Sequence, residues 1–194
     1  MTLFQIVALT LLTVFYVIYI TKMLILKKQH IQGTLLGKGK KPKDKAVIEI
    51  ILKIFTFLIV PIQFGSVIFC EYIYNLSFPL PVHIIGFVLL FLGDLVFLSA
   101  VITMRNNWRA GYSYEQDTKL VTGGIYKISR NPAFVAFDLL YLGCALAYPN
   151  IINLIFTVAV IILLHVQILG EEKFLEDKFG EKYLEYKRKV RRYI

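Results

Sequence analysis

Two stretches of this 194-residue chain hold most of the polar groups able to do chemistry. The first, 104–132, reads MRNNWRAGYSYEQDTKLVTGGIYKISRNP. Pro132 suits the first turn of a helix, where its missing N–H costs nothing, and Asn131 before it suits an N-cap. A helix starting there presents free N–H groups and a positive dipole end to a carboxylate or phosphate. A plain cap beside a surface arginine explains the same residues. Gly123 and Gly124 permit positive φ and close approach of the backbone to a ligand. Beyond them, Asn131, Phe134, Asp138 and Tyr141 recur at helical spacing and predict one shared face. A carboxylate in an apolar helix normally faces a polar cavity or a partner. Asp138 is therefore a candidate cavity residue, with a bond to a neighbouring helix as the alternative.

The second stretch, 165–194, reads HVQILGEEKFLEDKFGEKYLEYKRKVRRYI. Glu171 and Glu172 stand where an apolar run ends. They either begin a solvated face or offer a carboxylate to the hydroxyls of a ribose or to an ammonium group. His165 has no second ligand at metal-site spacing, so it is expected to pack and no metal centre is expected. Cys70 and Cys144 lie in apolar blocks as packing residues. Asp94 interrupts another apolar block and reads the same way as Asp138, as a cavity residue or as a group bonded to a neighbouring helix. Glu49 and Lys53 form a structural i, i+4 pair at a helix start.

The elements that must position these residues are membrane helices. The chain is 57% hydrophobic, against roughly 45–50% for a soluble domain. The excess falls in blocks at 3–26, 46–74, 82–104 and 133–169. A span needs roughly 20 residues, so the last block is two helices, divided by the turn signal Tyr148-Pro149-Asn150. The expected fold is all-α: one membrane domain over 1–194, a polytopic helical bundle of about five transmembrane helices. The spans are about 3–26, 46–72, 82–104, 133–148 and 151–169. A C-terminal amphipathic cytoplasmic helix follows, hinged near Gly180. The first block has no basic leader region or small-residue cleavage site and reads as an anchor.

Charge sets the expected orientation. Of 22 Lys and Arg residues, seven lie in 27–45, five in 105–130 and eight in 173–192, while 75–81 and 148–150 hold none. Five spans put every basic segment on one side. The positive-inside rule makes that side cytoplasmic and places the N-terminus outside. The net charge of +9 thus reads as topology and attraction to anionic lipid, not as a nucleic-acid surface. The loop around 37–45 is expected to be mobile.

The stretch Leu120-Val121-Thr122-x-Gly124-x-Tyr126-x-x-x-Arg130-Asn131-Pro132-x-Phe134 is similar to the LVxxGxYxxxR(H/N)PxY signature of the isoprenylcysteine carboxyl methyltransferase and phospholipid methyltransferase superfamily. About 35 residues later, Glu171-Glu172-x-x-Leu175-x-x-x-Phe179-Gly180-x-x-Tyr183-x-x-Tyr186 resembles that superfamily's EExxLxxxFGxxYxxY block, and Asn107-Trp108 resembles its short preceding motif. The resemblance covers roughly 104–192. It implies a membrane enzyme that binds S-adenosylmethionine at the cytoplasmic end of the last two spans, within 104–194. It carries cofactor binding to Leu120, Val121, Gly124, Tyr126, Asn131, Phe134, Glu171 and Glu172. Lys189 and Arg192 become candidate contacts to a substrate head group. Asn131 stands where His is commoner and Phe134 where Tyr is, and the terminal RVPxxxP-like segment lacks its proline.

Methyl transfer chiefly requires nucleophile, methyl and sulfur in line, with reacting atoms about 3–3.5 Å apart. Arg130, Asp138 and Glu172 are the candidate catalytic groups. An ionised carboxylate acceptor needs no base, whereas an amine must lose a proton, which Asp138 or Glu172 could take. The acceptor is expected to be a membrane lipid or lipid-like molecule entering between helices: an isoprenylated cysteine carboxylate, or a phospholipid amine. Two further readings are an NADPH-dependent sterol-type reductase, whose relatives share an RHP-like loop and acidic pair, and a non-catalytic membrane binding protein.

Overall fold

A computed structural model describes residues 1–73, 75–115 and 117–194; Tyr74, the last residue of the second apolar block, and Gln116 lie outside the described residues. Helices α1 (Leu3–Lys28), α2 (Lys43–Ile68), α3 (Leu80–Met104), α4 (Pro132–Ala147), α5 (Ile151–Phe179) and α6 (Glu181–Lys189) make up the chain, with short 3₁₀ turns at Arg105–Asn107 and Gly124–Lys127. Four helices, α1, α2, α3 and α5, are long and apolar enough to cross a membrane. Their outward faces carry Phe4, Val17, Ile54, Phe57, Ile102 and Ile162, all exposed. A row of exposed large apolar side chains on a long helix is a lipid-facing surface. The protein is a polytopic helical membrane bundle.

At 16 residues α4 rises about 24 Å, less than the roughly 30 Å hydrocarbon core. It lies antiparallel to α3 along a seam where glycines let the two backbones approach closely. A Cβ on Gly86 would stand 2.5 Å from the Ala147 amide nitrogen, and one on Gly143 would stand 2.7 Å from that of Leu90. Lipid gives no hydrophobic drive to helix association, so close backbone packing at small residues supplies it. The expected break at Tyr148-Pro149-Asn150 separates α4 from α5. Asn150 caps α5 by accepting from the Asn153 N–H at 2.9 Å, and its amide donates to Ser66 Oγ of α2 at 2.8 Å.

The polar segments share one end of the bundle. There Lys22 Nζ of α1 donates to the Arg105 carbonyl at 2.6 Å, and Gln167 of α5 donates to Glu49 of α2 at 3.0 Å. Beneath this end Phe15, Phe97 and Phe137 interlock, with Phe15 stacked on Phe97 at 4.5 Å between centroids.

Two expectations are corrected. The basic loop between α1 and α2 is docked, not free. Leu35 N–H donates to the Ala110 carbonyl at 2.7 Å, Ala110 N–H to the Gly33 carbonyl at 2.9 Å, and Tyr114 N–H to the Lys40 carbonyl at 3.0 Å. Gly37 and Gly39 make this possible at φ +69° and +74°, where an L side chain would be strained. Glu49, for its part, does not pair with Lys53. It is fully buried and forms an ion pair with Lys41, eight residues upstream, while Lys53 is exposed. The loop turns back over the start of α2, which brings Lys41 closer than the next helical turn.

Candidate functional site

The two chemistry-bearing stretches meet around Glu172. This residue sits past the apolar part of α5, where the last turns carry Glu171, Glu172, Lys173, Glu176, Asp177 and Lys178. Glu172 Oε1 accepts from Arg130 Nε at 3.2 Å, Arg130 Nη2 at 2.9 Å and Asn131 Nδ2 at 3.0 Å. Its Oε2 accepts from Arg192 Nε at 3.1 Å and Nη2 at 3.0 Å. Burial alone would raise the Glu172 pKa, but the hydrogen bonds from Arg192, Arg130 and Asn131 outweigh it and hold the carboxyl below its usual value. Arg130 also donates through Nη1 to the carbonyls of Lys187 and Val190, closing the end of α6. Its own N–H donates to the Arg191 carbonyl at 2.9 Å. Gly180, at φ +55°, is the hinge that folds α6 back to this position. Tyr186 then donates to the Tyr126 carbonyl at 2.6 Å.

Asn131 occupies the N-cap position of α4 but makes no side-chain cap bond. Its amide is drawn instead to Glu172 and to the Arg192 carbonyl, and Ser129 Oγ accepts from the Asn131 N–H at 3.1 Å. Gly124 has the anticipated positive φ of +55°, but the close neighbour is Thr103, whose Oγ1 would stand 2.8 Å from an added Cβ. Gly123, with nothing within 4 Å of an added Cβ, is the open one.

Glu171 points elsewhere, as adjacent positions on a helix must, being roughly 100° apart. Its Oε1 accepts from Gln167 Nε2 at 3.1 Å. Gln167 Nε2 also donates to Glu49 Oε1 at 3.0 Å. Burial, followed by the weaker push of Glu49 against the pull of Gln167, Lys41 and the Gly111 backbone, raises the Glu171 pKa to about 7. Tyr126 is buried nearby, and burial with Tyr186 and Glu171 keeps its hydroxyl protonated. Leu120 and Val121 are half-buried in extended loop, and Lys189 is exposed.

Beside this polar end lies a cavity of about 960 Å³ lined by parts of α1, α2, α4 and α5 and by the loops at 34–38 and 108–111. Its wall is mostly apolar, with Gln167 at the end nearest Glu171. Ile20, Ile54 and Phe57 line it and are also exposed on the flank of the bundle, so it opens sideways between α1 and α2. From α4, Ala133, Phe134, Phe137 and Tyr141 face it. The single face anticipated for Asn131, Phe134, Asp138 and Tyr141 therefore splits: Asn131 turns to Glu172, and Asp138 is off the cavity wall toward Tyr193, with its Oδ1 buried and without a partner among the described residues. A 3.6-residue period places i+7 and i+10 only approximately in line, and here a fraction of a turn separates cavity from flank. His165 hydrogen-bonds Tyr193. The residues that sequence reasoning passed over are Lys41, Gln167 and Tyr112. A helical i−4 step from Glu171 points to Gln167; Lys41 and Tyr112 carry no comparable local signal.

Comparison with known proteins adds to this geometry. Residues 81–182 match the family described as phospholipid methyltransferase. The chain is similar to a probable protein-S-isoprenylcysteine O-methyltransferase of Oryza sativa subsp. indica, 30% identical over 112 residues, covering 56% of this chain and 59% of that protein. Protein-S-isoprenylcysteine O-methyltransferase A of Arabidopsis thaliana is 30% identical over 108 residues, 54% of this chain and 55% of the relative. The chain thus spans little more than half the length of these relatives. The Saccharomyces cerevisiae protein-S-isoprenylcysteine O-methyltransferase is 29% identical over 184 residues, covering 89% of this chain and 70% of the yeast protein.

Proposed function

Since this chain belongs to the phospholipid methyltransferase family, we propose that it moves a methyl group from S-adenosylmethionine to a lipid-like acceptor, with an isoprenylated cysteine carboxylate as the leading acceptor. The carrying observation is the contact between a polar site and an apolar cavity: Gln167 lines the cavity and hydrogen-bonds Glu171. A lipid tail can lie in the cavity from the flank while its polar end reaches the donor.

The residues fit the donor. Its sulfonium supplies an already activated methyl when bound. Glu171, half-buried and bonded through Oε1 to one side chain, suits ribose hydroxyls or an ammonium. The resemblance adds Leu120, Val121, Gly124, Tyr126, Asn131 and Phe134 to the donor site; of these, Phe134 lines the cavity, Tyr126 is buried near Glu171, and Asn131 bonds Glu172. Glu172, with both oxygens committed, acts as the anchor of the Arg130–Arg192 clamp, keeping the loop and the C-terminal segment around the site. Arg130 is in this reading a positioning residue.

The clamp also bears on the acceptor. A carboxylate is ionised at pH 7 and needs no base, and an amine must shed a proton. Glu172 is held ionised by its partners and Asp138 lies off the cavity wall. With Glu171, the carboxyl nearest the cavity, assigned to the donor, this supports O-methylation over N-methylation of a phospholipid amine. The placement of basic residues supports a cytoplasmic polar end and an outside N-terminus.

The test uses purified protein in lipid nanodiscs with methyl-labelled donor and either a farnesylated cysteine carboxylate or phosphatidylethanolamine. Expected is label on the first, released as methanol by alkali, the mark of a methyl ester. Alkali-stable label on the second substitutes the N-methylation reading. Thermal stabilisation by NADPH and not by S-adenosylhomocysteine replaces both with the reductase reading, and stabilisation by neither leaves a binding protein.

A further inference from the structure

Glu49 and Lys41 lie outside the family-matched segment 81–182, in the loop and helix that precede it, yet they reach the donor site. Both side chains are fully buried and form an ion pair. A buried pair is costly to desolvate and is retained only with its remaining bonds satisfied. Here they are. Glu49 Oε2 accepts from the Gly37 N–H at 2.7 Å, and Lys41 Nζ donates to the Leu35 carbonyl at 3.0 Å. Lys41 also stands 4.9 Å over the Tyr112 ring, which stacks on Phe174 of α5 at 5.1 Å. Glu49 Oε1 takes one hydrogen of the Gln167 amide and Glu171 takes the other. One amide group therefore joins the buried pair to the carboxylate assigned to the donor.

We propose that the Lys41–Glu49 pair, acting through Gln167, positions Glu171 and sets its charge state, so that the loop between α1 and α2 controls how tightly the methyl donor is held. The inference rests on the donor reading above and adds a positioning device to it. The amide geometry fixes the Glu171 side chain before ligand arrives. The pair also sets the local field: Glu49 from α2 opposes ionisation of Glu171, while Lys41 from the loop favours it. Tyr112 from the 108–119 loop and Tyr126 from the 3₁₀ turn face the same carboxylate as neutral hydroxyls. Its neighbour Glu172 is balanced by Arg130 and Arg192.

The experiment is a titration of S-adenosylhomocysteine onto the full chain in nanodiscs, from about pH 5.5 to about pH 9, for wild type, Glu49→Gln and Gln167→Leu. Wild-type affinity should rise with pH around a midpoint near 7, as Glu171 ionises. Glu49→Gln removes the opposing charge and should move the midpoint down. Gln167→Leu removes a bond that favours the ionised form; the midpoint should move up and the Kd near neutral pH rise about tenfold. A merely structural role lowers Tm in both variants but cannot shift midpoints in opposite directions. Unmoved midpoints, or shifts of the same sign, overturn the proposal. Should either variant fail to fold, calorimetry on wild type in two buffers of different ionisation heat decides: ligand binding near pH 7 should release a fraction of a proton, and zero release overturns it. A wild type that binds no donor analogue at all defeats the donor reading itself; binding without these shifts defeats only the relay.

Discussion

Replacing Arg130 with Met should loosen the C-terminal third of the site, and the size of the effect follows from its contacts. The guanidinium donates twice to Glu172, at 3.2 and 2.9 Å, and also to the carbonyls of Lys187 and Val190. The Arg130 and Glu172 side chains are only 8% and 5% exposed. Breaking a buried pair costs about 3–5 kcal/mol, mostly from the charge left behind. Arg192 and Asn131 still hold Glu172, which places the loss near the lower end, about 3 kcal/mol. At about 2–4 °C per kcal/mol for a chain of this size, the apparent Tm should fall by about 6–12 °C. Arg130→Lys should recover little, because one ammonium cannot span the carboxylate and two carbonyls as a planar fork does. Fluorescence-detected size exclusion after a heat ramp reads the Tm, and limited trypsin cleavage after Lys187, Arg188 and Lys189 reads release of α6. A cycle with Glu172→Gln should give a coupling of about 2 kcal/mol. An Arg130→Met protein within about 2 °C of wild type, with α6 still protected, would refute the clamp as described.

Four further outcomes are expected. Because Glu172 is held below its usual value of 4.5, the clamp contributes fully above about pH 4.5 and loses that stability as pH falls through the depressed value; cleavage of α6 by an acid-active aspartic protease should appear only in that acid range. Gly143→Val should abolish folded protein in detergent, since its Cβ alone would stand 2.7 Å from one backbone atom and 2.8 Å from another; a monodisperse variant with wild-type Tm contradicts the seam. Leu164→Trp, filling the cavity wall, should raise the acceptor KM about tenfold and leave the Kd for S-adenosylhomocysteine unchanged. Asp138→Asn should keep kcat with a carboxylate acceptor, and a loss beyond about tenfold would return that residue to the chemistry.

The helical plan was legible because apolar run length and Pro-Asn punctuation are local signals. The break at Tyr148-Pro149-Asn150 and the hinge at Gly180 both appear where composition put them. Charge placement put 104–132 and 165–194 at one end of the bundle, where they can meet, and the motif resemblance narrowed the meeting to 119–134 and 171–192. Direction was harder to read. Asn131 has the residue type of a cap, but a buried carboxylate competes for its amide and wins. Glu171 and Glu172 look alike in sequence and differ in partners because one helical step separates their surroundings. A rule for helix pairs assigned Glu49 to Lys53; its partner came from a loop whose docking depends on glycines at 37 and 39. Local rules cannot see a pairing made by a chain reversal.

The shortness of α4 has a consequence for the surrounding bilayer. A helix about 6 Å shorter than the hydrocarbon core creates hydrophobic mismatch where it meets lipid, at the exposed Leu142, and lipids relieve it by thinning there. The thinned patch would lie beside Leu142, so head groups and water would sit deeper there than elsewhere around the protein. Bilayer thickness thus becomes a variable of the fold, and the apparent Tm should fall as acyl chains lengthen.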